Sequence, residues 1–523
     1  MERPPGDRSS GRRGETMAGT DVPRVSVVVP VHNTGGHLEK LVSSLLRQSL
    51  PPDQFEVIFA DDGSTDDTPS RLDELAAAHP HVRVLHLPHS GWPSRPRNVG
   101  VQQARGEYVF FADDDDWFGD EALERLYDCA VRHDADIVVG RMVGHGRSVP
   151  RVLFRENRFD ATLANSPLID SLTAHKLFRR AFLDEHGLRF PEGVRRLEDH
   201  VMVTRALFLS RHTCVLAEYP CYHHSRRPDQ GNATARRLDP AGYFANLREA
   251  LDVVDTYTEP GALRERLHRR WLRVEMVDRL RGRRLLAEPD EWVAQVAEES
   301  RRVIRERFAP GVAAGLPPTY RLVAHLIEQG RVADLRRLAE WEAGLRARAA
   351  VERHQVTGSA LTVAVSGQLC SGEEPIALAT QGDLRLRLPV DAVDPELRDV
   401  LSRLAGARLD VVARRRETGE EIVLPAEAEA DLASTGQDAG TPSRYRSTAR
   451  LDTRTLNGGR TEGTWELRAR VTSCGWTKDT RLPLTVRCAA DGAPPVVVTA
   501  QSGLWARVRR AAGRRLHRLA ARS

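Results

Sequence analysis

Four consecutive aspartates, Asp113 to Asp116, follow the largely apolar run 107–112. Such a run of β-branched and aromatic residues is typical of a buried strand. Four like charges at the end of a buried strand need a compensating partner, and a hard divalent cation, Mn²⁺ or Mg²⁺, is the obvious one. A solvated acidic turn that caps a helix beginning near Asp120 explains the same residues. The tetrad alone does not decide between a metal site and a capping turn.

Strands and helices that could position this tetrad alternate through the preceding residues. Each short β-branched run ends in a polar loop, and each loop leads into residues with helical apolar spacing. This alternation predicts an α/β fold with a mostly parallel, doubly wound sheet and a ligand cleft along its carboxyl edge. No Gly-x-Gly-x-x-Gly or Walker sequence is present, which disfavours a dinucleotide oxidoreductase or a P-loop enzyme. The predicted strands are 24–30, 55–60, 82–87 and 107–112, and the predicted helices are 38–46, 68–78 and 99–105.

The composition is that of a soluble chain with several domains. A length of 523 residues suggests roughly two to four domains, and 41% hydrophobic with 29% charged residues is typical of globular proteins. No uninterrupted apolar run of about 18 residues occurs, so no transmembrane helix is expected. Residues 1–21 lack the apolar core of a signal peptide, which predicts a disordered leader and a cytoplasmic protein. The six cysteines include no Cys-x-x-Cys pair, which argues against a zinc knuckle or a disulfide framework.

Four motifs, taken together, resemble the ordered motif series of family 2 glycosyltransferases with the GT-A fold. The resemblance covers residues 22–235 and implies a Rossmann-like GT-A domain. It also implies an inverting transferase that takes a sugar from a nucleotide diphosphate, usually a UDP-sugar, with Mn²⁺ or Mg²⁺. The motifs are Val27-Val-Val-Pro-Val-His-Asn33, Asp61-Asp-Gly-Ser-Thr-Asp66, Arg97-Asn-x-Gly100 and Phe111-Ala-Asp-Asp-Asp-Asp-Trp117.

The resemblance implies a set of donor-binding residues on the first three motifs. Asp61 would receive the base, since a carboxylate at a strand end can accept the uracil imide N–H. Arg97 could reach a phosphate or the sugar with its fixed fork of donors, although a surface salt bridge would also explain it. Asn98 could cap the following helix. The donor-binding residues implied are Pro30, His32, Asn33, Asp61, Arg97 and Asn98.

Within the acidic tetrad, the Asp-x-Asp motif of the family corresponds to Asp113 and Asp115, which are the implied metal ligands. Asp114 is placed beside the donor, at a position where relatives often carry a small residue. Asp116 is expected to position the loop rather than to bind the metal directly.

An acidic pair, Glu198 and Asp199, precedes a second helical run. An inverting transferase needs a carboxylate that removes the proton of the acceptor hydroxyl as its oxygen attacks the anomeric carbon, and Asp199 is the candidate. Glu198 would contact the acceptor or the donor sugar. Both residues could instead merely favour a helix N-terminus through its dipole. His224 and Arg226 lie in a region that relatives use as a lid over the diphosphate, and a basic surface loop explains them equally well.

The rest of the chain predicts two further domains. Leu-, Arg- and Glu-rich residues with helical spacing indicate a helical linker domain over 236–356. Apolar residues then recur at every second position, which predicts an antiparallel β-sandwich over 357–490 that binds polymer or a second subunit, with Trp476 exposed for either role. Residues 491–523 are predicted as a linker and a basic amphipathic helix. The strands predicted in the sandwich are 360–366, 384–388, 409–412, 465–471 and 482–486.

The combined layout resembles bacterial wall teichoic acid glycosyltransferases, which decorate polyol phosphate chains. The resemblance therefore implies a UDP-sugar donor and a polymeric or lipid-linked glycan or polyol phosphate acceptor, and it leaves a homo-oligomer open. Arginine-rich surfaces would suit a polyanionic acceptor. A capsule or exopolysaccharide transferase is the alternative within enzymes, and an inactive carbohydrate-binding scaffold is the alternative outside them. Nucleic-acid binding is disfavoured because the arginine-rich stretches lack interleaved aromatics and a recognised module.

The C-terminal residues 504–523 combine an apolar stripe with a basic face. Their spacing predicts an amphipathic helix that attaches the protein to the anionic inner face of the cell membrane. A helix packed on the sandwich or on a second subunit, or a disordered tail, would explain the same residues. The apolar stripe consists of Trp505, Val508, Ala512, Leu516 and Leu519, and the basic residues are Arg507, Arg509, Arg510, Arg514, Arg515, Arg518 and Arg522.

Overall fold

The chain divides into two compact units, Met1–Arg270 and Trp271–Ser523. The predicted leader 1–21, Arg226 and the predicted C-terminal helix lie outside the residues that the structure describes. No helix in the described part of the chain is long and apolar enough to cross a bilayer. The computed structural model describes residues 22–147, 149–150, 152–225, 238–380, 383–391, 393–402, 408–429, 441–442, 445–456, 461–489 and 493–499.

The first unit consists of one curled sheet with helices on both of its faces. Its strands are β1 Val25–Val31, β2 Phe55–Asp61, β3 Val82–His86, β4 Tyr108–Phe111, β5 Trp117–Phe118, β6 Ile137–His145, β7 Leu177–Arg179 and β8 Thr213–Ser225. Its helices are α1 Leu38–Leu46, α2 Thr68–Ala78, α3 Ser94–Gln103, α4 Ala122–Arg132, α5 Arg180–Glu185, α6 Glu198–Leu209, α7 Pro240–Tyr257 and α8 Ala262–Trp271, with short 3-10 turns at Gly35–His37 and Leu168–Asp170.

The eight strands follow the order β3-β2-β1-β4-β7-β6-β8-β5. The four strands β3, β2, β1 and β4 run parallel, and β6 runs parallel to β8. Strand β7 is antiparallel to β4 and β6, and β5 is antiparallel to β8. The predicted α/β class with a mostly parallel sheet is therefore confirmed, and the carboxyl ends of β1, β2 and β4 meet at one edge.

Strand β1 is buried at every residue because the sheet is covered on both faces. The pairing of β1 with β4 ends at Val28, and Pro30 lies beyond this point. The missing N–H of Pro30 therefore removes no hydrogen bond between β1 and β4. Helix α3 packs on this strand through Gly100, where an added Cβ would lie 2.3 Å from Cγ1 of Val28. Only glycine permits this close approach of helix and sheet.

We expect Gly100→Ala to destabilise the first unit by about 1–3 kcal/mol, because the new methyl group would overlap a buried β-branched side chain in the middle of the sheet. The gain in helix propensity from glycine to alanine, about 1 kcal/mol, offsets only part of this cost. Gly36→Ala is the matched control, since no atom lies within 4 Å of its added Cβ. The midpoint of thermal unfolding measures both variants. An unchanged midpoint for Gly100→Ala would contradict the packing of α3 on β1.

Helices α7 and α8 extend the first unit beyond the predicted boundary at residue 235. Helix α7 packs on α6, the helix that begins with the acidic pair. Its buried face includes Tyr243, Phe244 and Leu247. The strongly helical composition predicted these helices correctly, but it could not indicate that they pack with the first unit.

The second unit begins with helices and ends with antiparallel sheets. Its helical part contains the short segments Leu272–Met276 and Val277–Arg279, and helices α9 Gly282–Leu286, α10 Asp290–Arg307, α11 Pro310–Ala314, α12 Pro318–Glu328 and α13 Val332–Gly344. The later elements are β9 Leu345–Thr357, β10 Ala360–Ser371, β11 Glu374–Pro375, β12 Ala377–Thr380, β13 Asp383–Leu386, α14 Pro395–Ser402, β14 Arg408–Arg415, β15 Glu421–Val423, β16 Ala426–Glu429, β17 Thr441–Pro442, β18 Tyr445–Asp452, β19 Gly463–Ser473, β20 Trp476–Cys488 and β21 Val496–Thr499.

Two five-stranded sheets of this unit face each other. The first has the order β11-β10-β18-β16 with β9 paired to β10, and the second has the order β15-β14-β19-β20-β21. Between them, Tyr445 Oη lies 2.8 Å from Ser473 Oγ, and a Cβ on Gly367 would lie 3.1 Å from the side chain of Val471. A third sheet of this unit has three strands in the order β13-β12-β17. The predicted antiparallel architecture is confirmed, and each of the five predicted strands overlaps an observed one.

Two details of the prediction are wrong. Residues 345–356, predicted as the end of the helical linker, form most of β9 and pair with β10. Leu345 and Ala347 are buried there while Arg346 and Arg348 are exposed, and this alternation is hidden in an Arg- and Ala-rich sequence of high helix propensity. Trp476, predicted to be exposed, is only 4% exposed, because its indole packs beside Trp341 and donates to a buried carboxylate.

Candidate active site

The acidic tetrad forms a tight loop between β4 and β5. The Asp116 N–H donates to the Asp113 carbonyl at 3.3 Å, and the Asp116 side chain turns inward and is 1% exposed. Its Oδ1 accepts the Ser225 N–H at 2.6 Å, which ties the loop to the end of β8. Asp114 accepts a hydrogen bond from the hydroxyl of Thr34, just after β1. The loop is therefore held by strands from both halves of the sheet.

The capping interpretation of the tetrad is wrong. The helix that follows, α4, begins at Ala122 with Glu121 as its N-cap residue, and the side chain that bonds its first turn is that of Gln48, which accepts the Leu123 N–H at 3.0 Å. The carboxylates of Asp113, Asp115 and Asp116 instead lie together, with one oxygen of each within 4.8 Å of the others. These oxygen ligands match the preference of Mg²⁺ and Mn²⁺.

A second group of potential metal ligands shares Asp116 with the first. It consists of Asp116, His175 and His224, all three buried, again with one ligand atom of each within 4.8 Å. Oδ2 of Asp116 lies 3.7 Å from Nδ1 of His224 and 3.9 Å from Nε2 of His175. Neither this Oδ2 nor this Nδ1 has a hydrogen-bond partner among the described residues. Buried polar atoms without partners are costly, so the two atoms are suited to a cation between them.

The ionisation states in this cluster favour a cation as well. Burial raises the pKa of Asp116 well above its usual value, and the charges of Asp113 and Asp115 add to this effect. Burial lowers the pKa of His175 to about 4 and that of His224 to about 3, so both imidazoles are neutral at neutral pH and can act as ligands. A bound cation would balance the negative charge of Asp116 and so lower the pKa that burial and the neighbouring carboxylates raise.

Arg97 connects the tetrad to the second acidic pair. It is 5% exposed, and its Nη2 donates to Asp113 Oδ1 at 2.6 Å while its Nη1 lies 3.7 Å from Glu198 Oε1. Its guanidinium also lies over the Phe190 ring. Burial opposes the charge, but Asp113 and Glu198 raise the pKa of Arg97 overall. The surface salt bridge considered from the sequence is therefore wrong, because the Arg97 side chain is buried, although its partner Asp113 is 31% exposed.

Asp113 is held ionised by this arrangement. Burial alone would raise its pKa, but His175, which is protonated only at low pH, and Arg97 outweigh that effect and keep the pKa of Asp113 below its usual value. Its N–H donates to Tyr222 Oη at 2.8 Å, which fixes the start of the loop. The tyrosine ring in turn stacks on His175, with the ring centroids 4.6 Å apart.

Glu198 and Asp199 form the first turn of α6. Leu197 precedes them in the left-handed region at φ 64, a conformation that is unfavourable for a residue with a branched side chain and must be held by its surroundings. Burial raises the pKa of Asp199 to about 7, with a further contribution from Glu198 and an opposing one from Arg97. A carboxyl group with a pKa near neutrality is suited to act as a general base. A helix dipole alone would instead lower the pKa of a carboxyl group in the first turn, so it does not account for this value.

Asp61 ends β2 and is only 2% exposed. Its Oδ1 accepts the Ser64 N–H at 3.0 Å, and its Oδ2 lies 3.1 Å from Nδ1 of His86. The other nitrogen of His86 contacts Asp73 at 3.0 Å, and these two carboxylates, Asp73 first, raise the pKa of His86. The base-binding role implied for Asp61 remains a prediction.

His32 and Asn33 lie at the carboxyl end of β1, where the resemblance put the nucleotide. Asn33 donates its N–H to Ser64 Oγ at 2.9 Å, so it ties the loop after β1 to the loop after β2. His32 is exposed and stacks on His89, with ring centroids 4.3 Å apart. These two exposed rings offer a flat surface at the sheet edge. The side chain of Pro30, by contrast, is buried within β1.

Asn98 does not cap a helix. Helix α3 begins at Ser94, five residues before the predicted start, and Asn98 lies inside it with 5% exposure. Its amide donates to the Phe190 carbonyl at 2.9 Å and to Glu192 Oε1 at 3.0 Å, and it accepts the Phe190 N–H at 2.9 Å. Asn98 therefore holds the loop that leads to Glu198 and Asp199. The proline at position 96 is tolerated because it falls in the first turn of the helix.

The residues Tyr222 to Ser225 belong to β8, so the surface loop considered for His224 is wrong for this part of the chain. Arg226 and the remainder of the proposed lid lie outside the described residues. His175 and Tyr222 were not predicted as site residues, and His89 was not predicted at the nucleotide edge. The single available signal was the polar pair His175-Lys176 before the short strand that begins at Leu177, and such a pair does not by itself indicate a ligand.

Comparison with solved structures supports the same architecture. The chain superposes on *Staphylococcus aureus* TarS 1-349 in complex with UDP-GlcNAc with a TM-score of 0.55, at 23% identity, covering 71% of this chain and 98% of that one. It superposes on *S. aureus* TarS with a TM-score of 0.52, at 20% identity, covering 91% of this chain and 85% of that one. At these identities, the likeness concerns the fold.

Sequence comparison identifies the family. Residues 26–190 match the model of glycosyl transferase family 2, and residues 240–339 match that of the glycosyl transferase TarS linker domain. The chain is 30% identical over 233 residues to the poly(ribitol-phosphate) beta-glucosyltransferase of *Bacillus spizizenii*, which is 44% of this chain and 37% of the relative. It is 32% identical over 227 residues to the poly(ribitol-phosphate) beta-N-acetylglucosaminyltransferase TarS of *S. aureus*, which is 43% of this chain and 39% of the relative.

The matched segment thus spans well under half the length of these two relatives. A third relative is covered more fully. The chain is 31% identical over 236 residues to the poly(ribitol-phosphate) beta-N-acetylglucosaminyltransferase TarP of *S. aureus*, which is 44% of this chain and 72% of the relative. By its sequence and by the fold of its first unit, this chain belongs to glycosyltransferase family 2.

Proposed function

We propose that this protein is an inverting, metal-dependent glycosyltransferase that moves a hexosyl or N-acetylhexosaminyl group from a UDP-sugar to a hydroxyl of a polyol phosphate polymer. The observation that carries the proposal is the buried bridge from Asp113 through Arg97 to Glu198, beside Asp199. It joins a cation-binding group of carboxylates to a second acidic pair whose aspartate has a pKa near 7. An inverting transfer needs these two parts, one at the departing diphosphate and one at the attacking hydroxyl.

The cluster fits a divalent cation, as the partnerless atoms of Asp116 and His224 indicate. Asp113, Asp115 and Asp116 would hold the ion, with His175 and His224 as further ligands. When bound, Mn²⁺ or Mg²⁺ neutralises negative charge on the diphosphate of the donor. The chain itself contributes the Thr34 hydroxyl, which orients Asp114, and the Tyr222 hydroxyl, which fixes the backbone of Asp113.

Asp199 acts in this proposal as the base. Its ionised carboxylate accepts the proton of the acceptor hydroxyl while the oxygen of that hydroxyl bonds to the anomeric carbon and the UDP leaves. Glu198, held near Arg97, keeps the pKa of Asp199 high enough for the transfer and contacts the sugar. His32, Asn33 and Asp61 line the edge where the nucleotide would bind, and Asn98 positions the loop beneath the acidic pair.

The polyol phosphate acceptor is proposed from the relatives, whose names specify poly(ribitol-phosphate). The UDP-sugar donor is supported by the TarS complex with UDP-GlcNAc. The test is a screen of UDP-glucose, UDP-galactose, UDP-GlcNAc and UDP-GalNAc for UDP release with and without poly(ribitol phosphate) or poly(glycerol phosphate). Release that depends on one sugar and on one polymer supports the proposal, whereas release that no polymer stimulates would contradict the acceptor.

We expect kcat/KM to fall tenfold per pH unit below about pH 7, because Asp199 must be ionised to act as a base and its pKa is about 7. Above that pH the rate should level off. Lys176 is buried nearby, and burial lowers its pKa to about 7 although the charge of Asp199 opposes this shift. Because Lys176 could therefore titrate in the same pH range, Lys176→Met is the control. Loss of that positive charge should raise the pKa of Asp199 and so move the acidic limb of the pH profile to higher pH. A limb that vanished in Lys176→Met would assign it to the lysine instead.

We also propose that the protein works at the inner face of the cell membrane, attached through residues 504–523. The support is the sequence alone, because seven arginines flank an apolar stripe there and each basic side chain near an anionic surface contributes about 1 kcal/mol. Deleting residues 502–523 should release the protein from phosphatidylglycerol liposomes while sparing activity on a soluble acceptor. Equal co-sedimentation of the truncated and full-length chains would rule out this attachment.

A further inference from the structure

A cavity of about 400 Å³ opens in the second unit, between its helical part and the antiparallel sheets. Its size falls within the range of small-ligand sites, about 300–1,000 Å³. The lining comes from helix α9, the end of α13 and the turn between β19 and β20. None of these residues takes part in the proposed transfer chemistry.

The lining is strongly cationic. Four basic residues, Arg281, Arg283, Arg284 and Lys478, face two acidic ones, Asp278 and Glu342. Arg346 and Arg273 lie close enough to influence the charged groups of the lining. Even with both acids ionised, the cavity therefore carries excess positive charge.

The two acidic groups are already engaged by the protein. Oε1 of Glu342, a residue 5% exposed, accepts Arg281 Nη2 at 3.0 Å and Trp476 Nε1 at 2.8 Å. Asp278 is bonded to Tyr320, and its burial raises its pKa against the effect of that bond and of the nearby arginines. The Arg281–Glu342 pair holds α9 and α13 together, and the lining still carries more basic than acidic side chains outside this pair.

Lys478 and Arg283 are two of the basic residues that line the cavity. Lys478 Nζ donates to the carbonyl of Glu342 at 3.2 Å, which is a neutral partner. Burial lowers the pKa of Lys478, and Arg283, Arg346 and Arg281 lower it further against the opposing charge of Glu342. Arg283 and Arg284 are exposed at the mouth. Cations that destabilise one another around a half-open cavity gain most from an anion bound between them.

We propose that this cavity binds a phosphate group of a phosphodiester polymer, as a second attachment point for the acceptor chain. The identity of the polymer rests on the proposed function, whereas the anion site itself does not. A polymer held at two places on one protein reaches the transfer site at a higher effective concentration than a short acceptor does. The cavity should therefore affect long acceptors and leave single repeat units unaffected.

The test compares Arg283→Ala/Arg284→Ala with the control Arg302→Ala/Arg305→Ala in the full chain. Both variants remove two exposed arginines from the second unit, but neither control position lines the cavity. Binding of synthetic poly(ribitol phosphate) is measured by calorimetry without donor, beside ribitol 5-phosphate and inorganic phosphate. We expect affinity for the polymer to fall about tenfold in the cavity variant, as for lost hydrogen bonds to charged groups, and to change less than twofold in the control.

Turnover provides the second readout. The cavity variant should raise the KM for the long polymer about tenfold without changing kcat, and it should leave the KM for a single repeat unit unchanged. Equal losses in both variants, or no loss in either, would overturn the proposal. Inorganic phosphate that binds as tightly as the polymer, with both lost in the cavity variant, would indicate a free-phosphate site and overturn the polymer assignment.

The same measurements separate this inference from the proposed function. If the wild type transfers sugar to the polymer but the cavity variant binds it normally, the cavity proposal fails and the transferase proposal stands. If no donor gives transfer to the polymer but the cavity variant still loses polymer binding, the transferase proposal fails and the cavity proposal stands.

Discussion

Asp199→Asn should lower kcat for sugar transfer at least about 100-fold, with the affinity for the UDP-sugar changed by no more than a few fold. The amide keeps the size of the side chain but cannot accept the hydroxyl proton. In the proposed arrangement the donor contacts the other end of the site, where Asp113 and its neighbours lie, so its binding should persist. Donor affinity is measured by calorimetry and kcat by UDP release with saturating acceptor.

Asp128→Asn provides the matched control, because Asp128 is exposed on α4 and this substitution removes the same charge at a position away from the site. Glu198→Gln should have a different effect. It removes the charge that helps to raise the pKa of Asp199, so the acidic limb of the pH profile should move to lower pH. If Asp199→Asn turned over normally while Glu198→Gln did not, the base would be Glu198.

Removal of the divalent cation should abolish transfer, and Mn²⁺ or Mg²⁺ should restore it. Asp116→Asn should be the most damaging single change in the cluster, because Asp116 belongs to both groups of potential ligands. We expect it to weaken Mn²⁺ binding, followed by electron paramagnetic resonance, and to lower kcat/KM about 100-fold or more. Asp113→Ala and Asp115→Ala should weaken donor binding in the presence of the metal.

His224→Ala separates the two ligand groups. A variant that binds Mn²⁺ as the wild type does would assign the ion to the three aspartates alone, and one that loses it would place the imidazole among the ligands. Asp128→Asn again controls for a general loss of negative charge. Full activity in excess EDTA, or normal Mn²⁺ binding by Asp116→Asn, would contradict a metal at this cluster.

The part of the site that could be predicted is local in sequence. Asp61 and Asp113 each follow a run of β-branched and aromatic residues, and the carboxyl ends of parallel strands meet at one edge, so their neighbourhood follows from the alternation of strands and helices. The acidic pair in the first turn of α6 was identified in the same way, from charged residues at the start of a helical pattern. Such signals occupy a few adjacent residues and need no knowledge of distant contacts.

His175 and Tyr222 could not be predicted in this way, and His224 was expected only from the resemblance, as part of a lid over the diphosphate. They reach the tetrad because β7 and β8 are inserted between β4 and β5 in the sheet, an order that no local pattern in the sequence reveals. The inward turn of Asp116 has the same origin, since its partners are on β8 and on the loop before β7. The hydrogen bond from the Ser225 N–H agrees with the expected positioning role of Asp116, and its role as a metal ligand stays a prediction.

The incorrect details have equally specific causes. Asn98 resembles a capping residue because it follows Pro96, yet helices tolerate proline in their first turn and α3 begins earlier. Trp476 is the first residue of β20, next to the short turn that follows β19, where exposure is the usual outcome, but the helical part of the same unit covers it. In both cases the decisive contact comes from residues more than 90 positions away in the sequence.

The anomeric configuration of the product tests the central claim most directly. Incubation of the full chain with an α-linked UDP-sugar, Mn²⁺ and a synthetic ribitol phosphate oligomer yields a product whose anomeric coupling can be read by nuclear magnetic resonance. One displacement assisted by Asp199 inverts the anomeric carbon, so the account predicts a β-linked sugar on the oligomer and no such product from Asp199→Asn. An α-linked product, or a β-linked product formed equally well by Asp199→Asn, would contradict it.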